Sequence, residues 1–291
     1  MKIATFTLAG ERRVGIVDLD RAEIRPFDLT VDQARSGLLA IIDRGMGSLP
    51  GTLSPIPLSQ VEIEAPIPLP RRNIFCVGKN YYEHAHEFAK SGFDSSAAAG
   101  AVPKEPIIFS KLPETVIANH ADVIIDPKVS TAIDYEAELA VIIGKPGRGI
   151  SKDNVQDHIW GYTIVNDVTA RDLQGKYSQW LIGKSQDTFC PMGPWAVTRD
   201  EVDITTAGIR CYVNQELRQD SRIAQLIFDI PTLISTLSQG ITLKAGDIIA
   251  TGTPAGVGIG FNPPKYLKAG DIVRVEIDGI GVLENRVAEG A

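Results

Sequence analysis

Glu136 and Glu138 stand two residues apart in Asp134-Tyr135-Glu136-Ala137-Glu138-Leu139-Ala140-Val141-Ile142-Ile143-Gly144. The segment turns apolar and β-branched towards its end, and Gly144, Pro146 and Gly147 stop it, which predicts a strand. Side chains alternate along a strand, so both glutamates share a face with Asp134, Ala140 and Ile142. Their Cα atoms would stand roughly 6.6 Å apart, at about 3.3 Å rise per residue, so one small ion can bridge the two carboxylates. Glutamates are mostly solvated. This face, however, runs on into Ala140 and Ile142, and so into a core. Two carboxylates entering a core repel each other and lose hydration unless a cation sits between them.

A third carboxylate comes from Ile159-Trp160-Gly161-Tyr162-Thr163-Ile164-Val165-Asn166-Asp167, a second predicted strand. Asp167 sits where that strand gives way to a polar turn or short helix, Val168 to Gln174, a usual place for a functional side chain. The connection between the two strands is short, which brings them close. Glu136, Glu138 and Asp167 then form an all-oxygen site for Mg²⁺, with Mn²⁺ or Ca²⁺ as alternatives, unlike a zinc site built on Cys and His.

His84 and Glu87 lie three residues apart on a predicted helix over 79–90, with Asn80 as its cap, and so share a face. Such a pair is either a base with its orienting carboxylate or a solvated contact. Thr251-Gly252-Thr253-Pro254-Ala255-Gly256-Val257-Gly258 would let backbone approach a ligand, but it lacks the lysine of a phosphate loop. No G-x-S-x-G nucleophile motif occurs. Arg171 is expected to be structural, pairing with Asp172 or a sheet end. His86, His120 and His158 belong to no constellation and are expected at the surface.

The elements that must position these groups follow. Residues 1 to about 65 predict a small β-rich unit: Ile3 to Leu8 and Val14 to Leu19 form a hairpin, and Thr30 to Gly45 forms one helix capped by Thr30 and Gln33. Prolines then accumulate between Pro50 and Pro70, which places a boundary near Leu69 and gives units 1–68 and 69–291. Strands follow at 73–78 and 106–111, with a small-residue loop or lid at 91–105 between them. A hairpin is expected around Asn214-Gln215, and a helix from Asp229 to Gly240 with Pro231 at its start. The string Leu-Lys-Ala-Gly-Asp-Ile occurs at 243–248 and again at 267–272, read as two similar turns rather than a duplication.

The chain has 291 residues and a formal net charge of −7. Without a basic stripe, nucleic acid is not an expected partner. An anionic substrate must be held by a local cation or a few placed Lys and Arg. Cys76, Cys190 and Cys211 are scattered, with no C-x-x-C, which points to reduced thiols. No signal core and no apolar run of membrane length is evident, so a soluble cytoplasmic protein without a membrane partner is expected.

Taken in order, VGKNYYEHAHE, DYEAELAVIIG, GYTIVNDVTARDLQ, WLIGKS and ATGTPAGVG resemble the motifs of the fumarylacetoacetate hydrolase family over about residues 70 to 291. The first unit resembles the small accessory domain that many members carry. The resemblance implies an α+β, mostly β fold with a mixed β-roll or β-sandwich core, and a metal-dependent homodimeric enzyme acting on small anionic 2-oxo or 2,4-dioxo acids. It implies Glu136, Glu138 and Asp167 as metal ligands and His84 with Glu87 as the water-activating pair. It also implies Gln174 and Lys184 as oxyanion and substrate groups, and Thr253 as a substrate-carboxylate contact. Val77 stands where fumarylacetoacetase itself has a further metal-ligand aspartate, which favours the acylpyruvate-hydrolase branch. The expected reaction is hydrolysis of a C–C bond in a 2,4-dioxo acid with release of pyruvate. Decarboxylation or isomerisation of a 2-oxo acid at the same ion is the alternative, and a metal-stabilised binding protein is the non-enzymatic one.

Overall fold

The computed structural model describes residues 1–90 and 102–290, without the side chains of 88–90. The expected lid at 91–105 therefore falls largely outside the described residues. The fold is α+β and mostly β. One mixed sheet runs, neighbour by neighbour, through Ile56–Pro57, Glu23–Pro26, Glu11–Asp18, Lys2–Leu8, Cys190–Thr198, Ile159–Asn166, Ala137–Ile143, Ile248–Ala250, Ile74–Gly78 and Ile107–Lys111. Neighbours on this path are antiparallel except Ile248–Ala250 and Ile74–Gly78, which run parallel. A second sheet orders Glu216–Arg222, Gly208–Val213, Ile272–Ile277, Gly281–Glu289 and Val123–Ile125.

The strands of the first 68 residues belong to the large sheet, since Lys2 and Ile3 pair with Val197 and Ala196. The proposed division near Leu69 thus falls between strands of one continuous sheet.

Alternation along Ala137–Ile143 sorts the core. Leu139, Val141 and Ile143 pack with Val273, Val275 and Leu283 between the two sheets. Ala140 and Ile142 face the other way, onto Ile74, Cys76, Leu38 and Ile41. The expected strand from Asp134 is interrupted: Ile133–Asp134 pairs with Thr169–Ala170, and the long strand starts at Ala137. It is buried on both faces, so Glu138 within it and Glu136 just before it enter the core.

Thr30 to Gly45 is not one helix. Thr30 and Gln33 do form the capping box, but the helix covers only Val31–Ala34, and a second covers Leu39–Ile42. Gly37 separates them at φ +61°, and the Leu38 N–H leaves the helix to bond Pro66 O at 3.0 Å. A Cβ at Gly37 would lie 2.7 Å from Thr5 Oγ1, so a helical side chain has no room there. The two Leu-Lys-Ala-Gly-Asp-Ile strings do make the same turn. Asp247 accepts from Lys244 N at 2.7 Å and Asp271 from Lys268 N at 2.8 Å. The hairpin at Asn214-Gln215, both at positive φ, and the Asp229-capped helix Ile230–Ser238 stand where expected. Among the described residues, no helix is long and apolar enough to cross a membrane.

Candidate metal centre and active site

The Ala137–Ile143 and Ile159–Asn166 strands pair antiparallel, with Ala137 opposite Asn166. One residue further, the Asp167 N–H donates to Glu136 O at 2.9 Å. This register puts Glu136 and Asp167 side by side, and the strand period adds Glu138. One oxygen from each lies within 4.8 Å of the others, and all three side chains are buried.

Cations surround the group. Lys184 Nζ donates to Glu136 Oε2 at 2.8 Å and to Asp167 Oδ2 at 2.9 Å. Lys111 Nζ donates to Asp167 Oδ1 at 2.7 Å and to Val168 O at 3.0 Å. Arg171 pairs with Asp134 Oδ2 at 2.8 Å and with Glu136 Oε1 at 2.7 Å, not with Asp172. Asp172 instead accepts from Ser130 Oγ. Asp134 is a fixed anchor: the Gly258 and Ile259 N–H groups donate to its two oxygens at 2.6 and 3.0 Å.

Among the described residues, Glu138 is the member of the three-carboxylate group with no hydrogen bond to a cationic side chain. Its Oε2 accepts from Gly252 N at 2.8 Å, whereas its buried Oε1 has no hydrogen-bond partner. Burial and the charges of Asp167 and Glu136 push the Glu138 carboxyl well above the usual range. Burial acts on Glu136 too, but Lys184, Arg171 and His84 outweigh it and hold that carboxyl at about 2. An orphaned buried carboxylate oxygen beside two other acids is a place that a hard divalent cation fits. Glu136, Glu138 and Asp167 would hold it.

His84 and Glu87 lie on the helix Tyr82–Lys90, with Nδ1 and Oε2 3.2 Å apart and His84 buried. The glycine loop holds Glu87 from the other side, as Gly256 N donates to Glu87 Oε1 at 3.0 Å. The loop's amides thus serve Glu138, Glu87 and Asp134 of this chain. The close backbone approach expected of its glycines is made to the protein's own carboxylates. Asn80 does not cap the helix. Its carboxamide takes the Phe228 N–H and donates to Phe228 O and Thr251 O.

His84, Glu136, Gln174, Lys184 and Thr253 line one small cleft, together with Val77 and Trp180. Its volume of about 10 Å³ is room for about one water. Gln174 Oε1 accepts from Arg171 Nη1 at 3.1 Å, and Thr253 Oγ1 accepts from Gln219 Nε2 at 2.7 Å. The structure therefore brings together every site residue singled out from sequence, with Glu87 just behind His84. His86 and His120 are exposed, and His158 bonds Lys145 O. Sequence reasoning missed Lys111, Asp134 and Gln219, whose partners are distant in the chain. The one available signal for Lys111 is its strand phase, shared with Phe109 and Ile107.

A buried oxygen cage with a His–Glu pair at its mouth, on mixed sheets, is the architecture of a divalent-metal enzyme. Residues 73–288 match the Fumarylacetoacetate (FAA) hydrolase C-terminal family model, and the chain belongs to the fumarylacetoacetate hydrolase family. It is 50% identical over 232 residues to the oxaloacetate tautomerase YisK of Bacillus subtilis, covering 79% of this chain and 74% of that protein. Among solved structures it is similar to the fumarylacetoacetate hydrolase EaFAH of psychrophilic Exiguobacterium antarcticum, with a TM-score of 0.85, 39% identity and full coverage of both chains. It is also similar to the maleylpyruvate hydrolase of Sphingobium sp. SYK-6 in complex with manganese(II) and pyruvate, with a TM-score of 0.78, 30% identity and full coverage of both.

Proposed function

We propose that this chain is a divalent-metal-dependent tautomerase acting on a small 2-oxo diacid of the oxaloacetate type. The observation that carries the reading is the 50% identity to an oxaloacetate tautomerase across 79% of the chain. Mg²⁺ is the ion proposed, with Mn²⁺ as its chemical substitute, because the donor set is all oxygen. When bound, it supplies Lewis-acid polarisation of the 2-oxo group.

The remaining work falls to the side chains. The Lys184 ammonium and the Gln174 carboxamide take substrate oxygens, and the Thr253 hydroxyl takes a carboxylate. Keto–enol exchange removes one proton from carbon 3 and places one on the 2-oxygen. His84 is the group to carry it, because an imidazole has one ring nitrogen to accept a proton and one to donate it. Glu87, at Nδ1, fixes the ring orientation. The exchange consumes no water.

Hydrolysis of a 2,4-dioxo acid with release of pyruvate is the second reading. The His84–Glu87 pair and the likeness to a maleylpyruvate hydrolase favour it. In that case His84 takes a proton from water. We further propose a homodimer, supported by the exposed apolar side chains Ile108, Leu181 and Ile182 on the elements that carry Lys111 and Lys184, and Leu112 next to Lys111. Three buried free cysteines support a reducing, cytoplasmic setting.

The test is to add Mg²⁺-loaded protein to freshly dissolved enol oxaloacetate and follow the loss of enol ultraviolet absorbance. Carbon dioxide release and acylpyruvate cleavage are assayed in parallel. No acceleration of the absorbance change, with an acylpyruvate cleaved, would sink the tautomerase reading in favour of the hydrolase.

A further inference from the structure

We infer that Gln219 presets the Thr253 hydroxyl as a hydrogen-bond donor into the cleft, and so acts as a positioning residue for a carboxylate oxygen of the ligand. The identity of that ligand as an anionic oxo acid rests on the function proposed above. The polarity of the contact rests on geometry alone.

Gln219 sits on the strand Glu216–Arg222 of the second sheet and is fully buried. Its Oε1 accepts from Ala137 N at 3.1 Å, and its Nε2 donates to Pro254 O at 2.7 Å. A backbone N–H only donates and a carbonyl only accepts, so these two contacts forbid flipping the carboxamide. The second Nε2 hydrogen must then be the one that reaches Thr253 Oγ1 at 2.7 Å. The hydroxyl oxygen is therefore occupied as an acceptor, and its own proton points elsewhere. Among the described residues, no oxygen accepts that proton. Thr253 is 2% exposed and lines the cleft beside Lys184, Gln174 and His84.

A buried O–H without an acceptor is unfavourable, and a ligand oxygen that accepts it recovers the loss. An anionic oxygen recovers most, because charge-assisted bonds are roughly twice as strong as neutral ones. A ligand group that can only donate gains nothing at this position. Ala137, whose N–H fixes the carboxamide, lies between Glu136 and Glu138. One side chain therefore ties the Thr253 hydroxyl to the strand that carries Glu138.

The experiment is a double-mutant cycle read by calorimetric titration of oxalate into the Mg²⁺-loaded full chain. Thr253→Val should weaken oxalate binding by about tenfold to a hundredfold, the usual range for a hydrogen bond to a charged group, and Thr253→Ser should restore it. Gln219→Met should weaken it by about tenfold. If Gln219 acts through Thr253, Gln219→Met has no further effect in the Thr253→Val background, whereas independent structural damage adds. Additive losses overturn the inference.

Should Gln219→Met not fold, the wild-type protein reports the same thing by nuclear magnetic resonance. Oxalate should shift the Gln219 side-chain amide proton that faces Thr253, and an unmoved resonance overturns the proposal. Failure of wild-type protein to bind oxalate overturns it as well. Oxalate binding without tautomerisation sinks only the functional reading.

Discussion

Lys111 and Asp167 form an ion pair shut off from solvent: Nζ donates to Oδ1 at 2.7 Å, and both side chains are 0% exposed. The same ammonium also donates to the carbonyls of Val168 and Lys184. One lysine thus fixes a candidate metal ligand and the backbone of the residue that shares it. Removing one partner of such a pair leaves a buried charge uncompensated, at a cost of about 3–5 kcal/mol. Lys111→Met should therefore lower the unfolding free energy by roughly that amount and weaken Mg²⁺ binding. Urea unfolding and calorimetric titration check both. A variant with wild-type stability would show that the pair is not the anchor of Asp167.

Metal binding should raise stability, because an ion that binds only the folded chain adds about 2.7 kcal/mol at a hundred times its Kd. Added Mg²⁺ or Mn²⁺ should shift the melting temperature upward, and a chelator should reverse the shift. Glu136→Gln, Glu138→Gln and Asp167→Asn should each reduce the shift. Glu138→Gln is the sharpest case, since it replaces the carboxylate whose buried Oε1 has no hydrogen-bond partner with an amide that binds a cation poorly. An undiminished shift in all three variants would dismiss the cage as a metal site.

Much of this cage was legible in the sequence because it depends on local periodicity. The two-residue period of a strand put Glu136 and Glu138 on one face, and the alternation of Leu139 and Val141 against Ala140 and Ile142 follows the same rule. The cations around it were not legible in that way. Lysine is almost never buried unless paired, and the partners of Lys111 lie 56 and 73 residues away. For Arg171 the sequence leaves two partners open, Asp172 or a sheet end; it pairs with Asp134, the last residue of the short strand Ile133–Asp134, a partner 37 residues away. The single helix over 30–45 failed because apolar spacing does not reveal that Gly37 must pass close to Thr5 and Pro66. Asn80 looked like a cap because caps are local, whereas its real partners, Thr251 and Phe228, come from distant loops.

Alkaline conditions should destabilise the fold through buried groups that must stay neutral. Burial raises the Cys190 thiol to about 12 against the partial compensation of Lys111. Burial likewise raises the Tyr162 hydroxyl to about 12, with Arg199 opposing. Unfolded, these groups titrate near about 8.5 and 10. Above those values the unfolded chain gives up protons that the native chain keeps, so stability is full below about pH 8.5 and falls as pH rises towards 12. Urea unfolding at a series of pH values should show this decline, and Cys190→Ala should flatten it. The thiols of the native protein should stay unreactive to a disulfide reagent at pH 8 and react on unfolding. Rapid labelling of the native protein would contradict their burial.

His84 decides between the chemistries at this site. It is buried, faces Glu87 across 3.2 Å, and lines the same cleft as Lys184 and Thr253 without belonging to the carboxylate cage. His84→Ala should therefore leave Mg²⁺ affinity within about twofold while removing the proton carrier. General acid–base catalysis typically contributes 10²–10⁴-fold, so kcat for oxaloacetate tautomerisation should fall by about that factor. Glu87→Gln keeps the imidazole but weakens its orientation, and the loss should be smaller. Each variant is to be assayed for tautomerisation and for acylpyruvate cleavage in the same preparation. A large loss of tautomerisation with intact metal binding supports the proton-carrier role. Near wild-type tautomerisation in His84→Ala would remove that role and leave the polarising ion and Lys184 to account for the rate. Acylpyruvate cleavage that is strong in wild type and abolished in His84→Ala, with tautomerisation no faster than in buffer, would establish the hydrolase instead.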